Sequence, residues 1–216
     1  MRRLPAIAAV VFDMDGLLID SERAVRAAMI KVAVDFGAEL PDPVFLSMVG
    51  TTIEASRAIA TAHFGGDFDL KSYEAAVDEE IERELAGREI LKEGVLELLD
   101  HLEARAIPSA VATSSGRDTV EKRLAGVIGR FDAIVARGDY ARGKPHPDPY
   151  LEAARRLRVD PGRCLALEDS HHGVVAAHAA GMTTVMVPDL LPSTQEIEAL
   201  CWAVAASLKD VRAMLA

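Results

Sequence analysis

Val10-Val11-Phe12-Asp13-Met14-Asp15-Gly16-Leu17-Leu18-Ile19-Asp20 is the stretch that decides how this chain is read. Residues 6–12 are apolar, small or β-branched, as in a strand buried on both faces, and the run stops abruptly at two carboxylates. Alternation along extended backbone puts Asp13 and Asp15 on one side and Met14 on the other. Gly16 then allows a sharp turn or a close backbone approach. Adjacent carboxylates repel unless they have a cation, a shared proton or open solvent, and a cation is the expectation here. Read alone, the pair also fits the start of a polar turn. What favours a site is that a buried strand ending in charged or hydroxyl groups recurs further along the chain.

The 216 residues carry a formal charge of −10, and half of them are apolar, which is enough for a sizeable core. The negative charge disfavours binding to a nucleic-acid backbone, which depends on Lys and Arg releasing counterions. An anionic small molecule remains compatible if positive charge is concentrated locally. Only two cysteines occur, Cys164 and Cys201, a usage that fits reduced thiols in the cytoplasm rather than a disulfide framework. Arg2 and Arg3 mimic the start of a signal peptide, but Asp13 interrupts the apolar run and no cleavage site follows. No run reaches the roughly 18 apolar residues of a membrane span. The expected state is a soluble monomer with neither nucleic-acid nor membrane partners.

Residues 21–88 lose the strand-like runs and take up helical spacing. Ala24, Val25, Ala28, Met29, Val32, Ala33 and Phe36 recur at three and four, with Ser21 as cap and Gly37 as stop. Further helices fit 42–49, 52–64 and 70–86. The last of these carries Glu74, Asp78, Glu79, Glu80, Glu82 and Glu84, read as a solvated face. After Gly87 strands and helices alternate: helix 93–103, strand 109–112, helix 117–124, strand 133–136, helix 148–157, strand 164–167, helix 171–180 and strand 183–187. A weak strand near Val204 and helices around it close the chain. The alternation predicts an α/β fold, a parallel sheet with helices on both faces and a helical insert after the first strand. Ligands bind such sheets at the carboxyl ends of the strands.

Three further clusters fall at those ends. Thr113, Ser114 and Ser115 offer hydroxyl and N–H donors where a helix is expected to start, a setting for an anion, although alone they read as a cap. Lys144 stands in Gly143-Lys144-Pro145-His146-Pro147-Asp148-Pro149, a loop whose Gly and Pro fix its path. His146 is read as a loop residue. Glu168 and Asp169 follow Leu165-Ala166-Leu167 and either cap the next helix or join Asp13 and Asp15 in an oxygen-rich pocket suited to Mg²⁺.

Asp13-Met14-Asp15-Gly16-Leu17-Leu18-Ile19-Asp20-Ser21-Glu22, Val111-Ala112-Thr113-Ser114-Ser115, Gly143-Lys144-Pro145 and Leu167-Glu168-Asp169-Ser170, in that order, resemble the haloacid dehalogenase-like superfamily. The resemblance is to its phosphatase and β-phosphoglucomutase-like branch. It implies a Rossmann-like core, residues 1–16 and 89–216, with a helical cap domain inserted at 17–88. Carried over, Asp13 is the nucleophile that forms an aspartyl-phosphate, and Asp15 is the general acid and then base. Thr113 holds the transferring phosphoryl, with Ser114 and Ser115 beside it, and Lys144 neutralises charge. Mg²⁺ is held by Asp13, the Asp15 backbone carbonyl and Asp169, with Glu168 as a ligand or a water-mediated partner. Glu22, Thr51 and Thr52 are the candidates for substrate choice in the cap.

The resemblance implies a phosphomonoesterase acting on a small phosphorylated metabolite such as a sugar phosphate. A dehalogenase has no need of Asp15 or Mg²⁺. A β-phosphoglucomutase-like mutase carries a basic residue, usually Arg, shortly after a Gly like Gly50. Here Gly50-Thr51-Thr52-Ile53-Glu54 follows and the nearest Arg is Arg57, a departure that favours hydrolysis. A non-catalytic scaffold is expected to have lost Asp13, Asp15, Lys144 or Asp169, and all four are present.

Overall fold

A computed structural model describes residues 4–88 and 90–215. Arg2 and Arg3 lie outside the described residues, as does residue 89 at the expected second domain crossing. The chain divides into two compact units, one running to Ile19 and resuming at Leu91, the other spanning Asp20–Ile90.

The first unit is built on six parallel strands: β1 (Ala9–Phe12), β2 (Ser109–Gly116), β3 (Ala133–Arg137), β4 (Cys164–Glu168), β5 (Thr183–Met186) and β6 (Ala203–Val204). Their order is β3-β2-β1-β4-β5-β6. The strand quoted at the outset is therefore central, with Phe12 in register with Val111 on one side and Leu167 on the other. Such a position accepts only apolar side chains on both faces, and all four residues of β1 are buried. β1 is shorter than the apolar run suggests. Residues 6–8 stay outside the ladder, with Ala8 N–H bonded to the Arg163 carbonyl at 2.8 Å.

The helices of this unit are α5 (Val95–Ala104), α6 (Arg117–Arg123), α7 (Asp148–Leu157), α8 (His171–Ala179), α9 (Gln195–Glu198) and α10 (Leu208–Met214). On one face Ala9, Val11, Ala110, Ala112 and Ala166 pack against Tyr150, Ala153 and Ala154 of α7 and Ala176 and Ala177 of α8. The small strand residues let α7 and α8 approach closely. Alternation sends Val10 and Phe12 to the other face, where the Phe12 ring meets Phe131 edge-on at 5.8 Å.

The second unit is helical: α1 (Glu22–Asp35), α2 (Asp42–Met48), α3 (Ile53–Phe64) and α4 (Leu70–Leu85). α1 packs against α4, and Phe36, Phe64, Phe68 and Tyr73 form an aromatic cluster in which Phe64 and Phe68 stack at 4.3 Å. Ser21 makes no side-chain cap bond, but Thr52 and Asp69 do cap α3 and α4. One part of the expected solvated face of α4 is inverted. Glu80 shares the buried stripe of Tyr73, Val77 and Ile81, spaced at helical intervals, and is buried against Lys31 and Arg83. Among the described residues no helix is long and apolar enough to cross a membrane.

Side-chain burial on α5 gives a direct check. Leu98 is 0% exposed and Leu96 is 46% exposed. Leu98→Ala is expected to lower stability by about 2–5 kcal/mol, and Leu96→Ala by less than about 0.5 kcal/mol. Urea unfolding of the two variants measures this, and equal shifts in midpoint would contradict the packing.

Candidate active site

Two neighbouring central strands, β1 and β4, deliver Asp13, Glu168 and Asp169 to one point. Asp13 leaves β1 with its N–H bonded to the Leu167 carbonyl at 3.0 Å, which places it beside Glu168 and Asp169 at the end of β4. Asp13, Glu168 and Asp169 each offer an oxygen within 4.8 Å of the others. With Lys144 they expose 7, 0, 3 and 3% of their surfaces respectively. Lys144 enters from the loop before α7, and its Nζ donates to Asp13 Oδ1 and, at 2.5 Å, to Glu168 Oε1.

Glu168 is held on all sides. Oε1 accepts from Lys144 Nζ and from the Tyr150 hydroxyl at 2.5 Å, while Oε2 accepts from Asp169 N–H, Ser170 N–H and Ser170 Oγ at 3.1, 3.2 and 3.0 Å. Five donors fill the lone-pair sites of one carboxylate. Tyr150 is buried in α7 and also lies under the ammonium, 5.2 Å from Nζ to ring centroid. Burial, reinforced by the Glu168 carboxylate, pushes the Tyr150 hydroxyl well above its ordinary range, so it remains a donor.

Electrostatics follows from this crowding. Burial raises the Asp13 carboxyl to about 7 against the pull of Lys144, and Glu168 and Asp15 push in the same direction as burial. Burial also opposes the Lys144 charge, but Asp13 and Glu168 outweigh it and hold the ammonium well above the usual lysine value. One ammonium offsets one of three clustered carboxylate charges. An all-oxygen donor set that is still negative fits a hard divalent cation.

After Asp13 the chain turns tightly: the Met14 carbonyl accepts from Leu18 and Ile19 N–H at 2.9 and 3.1 Å, and Gly16 has φ +79°. Asp15 thus lies at the mouth of the cluster, partly exposed, and accepts from Ser115 Oγ at 2.7 Å and Arg123 Nη1 at 2.9 Å. Lys92 Nζ pins the turn by donating to the Gly16 carbonyl at 2.6 Å while paired with Asp189 at 2.9 Å.

Strand β2 is longer than expected: Thr113-Ser114-Ser115 continues it to Gly116, and α6 then begins at Arg117, where the helix was expected. Between Ala112 and Gly116 four steps of β2 face two of β3, and this bulge bends the strand end away from regular pairing. Thr113 is buried, its Oγ1 accepts from Ser115 N–H at 3.0 Å and its carbonyl accepts from Tyr140 at 3.0 Å.

Glu22, Thr51 and Thr52 belong to the helical unit. Thr52 caps α3 through Ala55 N–H at 3.2 Å, and Thr51 Oγ1 donates to the Met48 carbonyl at 2.7 Å. Both hydroxyls serve local structure. Glu22 stands in the first turn of α1, half-buried.

A model of the haloacid dehalogenase-like hydrolase family matches residues 7–181. A Drosophila melanogaster protein named "Probable pseudouridine-5'-phosphatase" is 36% identical over 94% of this chain and 90% of its own length. Hexitol phosphatase B of Escherichia coli is 34% identical over 84% of each chain. The crystal structure of CbbY from Rhodobacter sphaeroides in complex with phosphate superposes with a TM-score of 0.81, at 27% identity, over 95% of this chain and 96% of that one. The chain belongs to the haloacid dehalogenase-like hydrolases, in the branch with a helical insert after the first strand, and is an enzyme of the phosphatase class.

Gly173 carries a prediction about the site's construction. A Cβ there would lie 1.8–2.1 Å from the Glu168 carboxylate, whereas one on Gly126 meets nothing within 4 Å. Gly173→Ala is expected to destabilise by about 1–3 kcal/mol through overpacking and to lower turnover, with Gly126→Ala near wild type in both. Thermal melts and phosphate-release assays on the pair decide it, and a tolerated Gly173→Ala would contradict the placement of Glu168.

Proposed function

We propose that this chain hydrolyses the phosphate monoester of a small metabolite, a sugar or polyol phosphate, with Mg²⁺ and through an aspartyl-phosphate on Asp13. The observation that carries this reading is the buried convergence of Asp13, Glu168 and Asp169 with Lys144 bonded to two of them.

In the first half-reaction an Asp13 oxygen bonds to phosphorus while the bond to the alcohol oxygen breaks, and Asp15 passes its proton to that oxygen. In the second, water attacks phosphorus, Asp15 takes up the water proton, and inorganic phosphate leaves as Asp13 is regenerated. A carboxylate approaching a phosphate dianion is repelled, and Lys144 lessens that repulsion where the charges meet. Thr113 and Ser114 present hydroxyl donors to the phosphoryl oxygens. The side chains of Asp13 and Asp169 and the carbonyl of Asp15 would hold Mg²⁺, which would supply further positive charge at the phosphoryl group. Glu168, whose oxygens are occupied by five protein donors, acts by fixing Lys144.

A mutase must grip a second phosphate. Arg57, the nearest arginine after Gly50, is forked onto Glu74 at 2.7 and 2.8 Å, which supports hydrolysis. Substrate choice is assigned to the helical unit, with Glu22, Thr51 and Thr52 the candidates. Free Cys164 and Cys201 support a reducing, cytoplasmic setting.

A panel of sugar and polyol phosphates assayed with Mg²⁺ is expected to yield inorganic phosphate. EDTA should abolish the activity, and Asp13→Asn should lower it by at least about 10³-fold. Conversion of a sugar 1-phosphate to its 6-phosphate in place of phosphate release would favour the mutase. Unimpaired turnover by Asp13→Asn would overturn the mechanism.

A further inference from the structure

We propose that Arg123 is a positioning residue that, together with Ser115, fixes the Asp15 carboxyl group for proton transfer to the leaving alcohol. The inference rests on the reading of Asp15 as proton donor and adds a residue that no motif in the sequence marks. Arg123 is the last residue of α6, and it reaches Asp15 across 108 residues of sequence. Its Nη1 binds Asp15 Oδ1 at 2.9 Å, and Ser115 Oγ binds Oδ2 at 2.7 Å. Each carboxyl oxygen therefore has its own donor.

The need for such a clamp follows from where Asp15 sits. Asp13 is locked by the sheet and by Lys144, whereas Asp15 lies on the tight turn beyond β1, outside the ladder, with 26% of its side chain exposed. Productive proton transfer demands placement to within about 0.5 Å, held by groups that are themselves fixed. α6 provides that support, being packed on β2 and β3 and anchored by buried Val120.

The pair is also unlike a surface salt bridge. The Arg123 side chain is only 12% exposed, and its buried Nε has no hydrogen-bond partner among the described residues. Exposed pairs contribute about 0–1 kcal/mol and little geometry, but a buried donor left unmatched is a cost that the fold tolerates here. The bonded edge of the guanidinium is directed at Asp15.

Leaving-group dependence tests the inference. Benzyl phosphate and 4-nitrophenyl phosphate are similar in size but differ in how much their departing oxygen needs a proton. Arg123→Met is expected to lower kcat/KM for benzyl phosphate by about 10–100-fold, part of the full general-acid contribution, and for 4-nitrophenyl phosphate by less than about 3-fold. Arg123→Lys should recover part of the loss, and Ser115→Ala should show the same selectivity more weakly. In an Asp15→Asn background, Arg123→Met should add no further loss. If Arg123→Met does not fold, Arg123→Lys and Ser115→Ala carry the comparison. Equal losses on both esters, or additivity with Asp15→Asn, would overturn the inference while leaving the phosphatase reading intact. Failure of Asp15→Asn itself to discriminate between the esters would instead remove the proton-donor reading beneath it.

Discussion

Three carboxylates and one ammonium share a space closed to water, and the rest of the first unit is arranged so that this can hold. Lys144 touches Asp13 and Glu168 together, joining the end of the central strand to the end of its neighbour. Removing one partner of a buried pair costs roughly 3–5 kcal/mol because the other charge is stranded. The cluster is therefore a constraint on folding as much as a reagent. Tyr150 and Ser170 complete it by filling the lone pairs of Glu168 that Lys144 leaves open.

Backbone without side chains makes room for it. Gly16 turns the chain at positive φ, and a Cβ there would sit 2.1 Å from Asp169 Oδ2. Gly173, inside α8, presses directly on the Glu168 carboxylate. Its lack of a side chain is what lets the first turn of α8 lie against that carboxylate. Lys92 and Asp189, from separate segments, then hold the turn that carries Asp15.

Much of this was legible in the sequence because the fold is written in periodicity. Buried parallel strands are near-continuous apolar runs, and those runs ended at Asp13, Thr113 and Glu168, so topology alone brought the groups together. The insert was visible because helical spacing replaced strand runs between residues 21 and 88. What escaped was long-range side-chain geometry. Tyr150 reads as one more apolar residue of an amphipathic helix, and Arg123 as one more charge on a short one. Glu80 looked solvated because composition hides which stripe of α4 faces inward. The extended path of Thr113 to Gly116 was missed because a bulge in the β2–β3 ladder, not the local Thr-Ser-Ser chemistry, decides it. A helical glycine such as Gly173 was the one signal present and left unused.

Family membership places the chain among phosphatases, and in the helical unit Thr51 and Thr52 are engaged in local turn and cap bonds. The proposed chemistry needs distant carboxylates to meet at one divalent ion, and binding to the native state alone raises stability, by about 2.7 kcal/mol at 100 times Kd. The most direct measurement is therefore the melting temperature of the wild type and Asp169→Asn across a Mg²⁺ titration. A saturable rise in the wild type that is lost in the variant is the predicted result. No response in the wild type, or the same response in both, would contradict it.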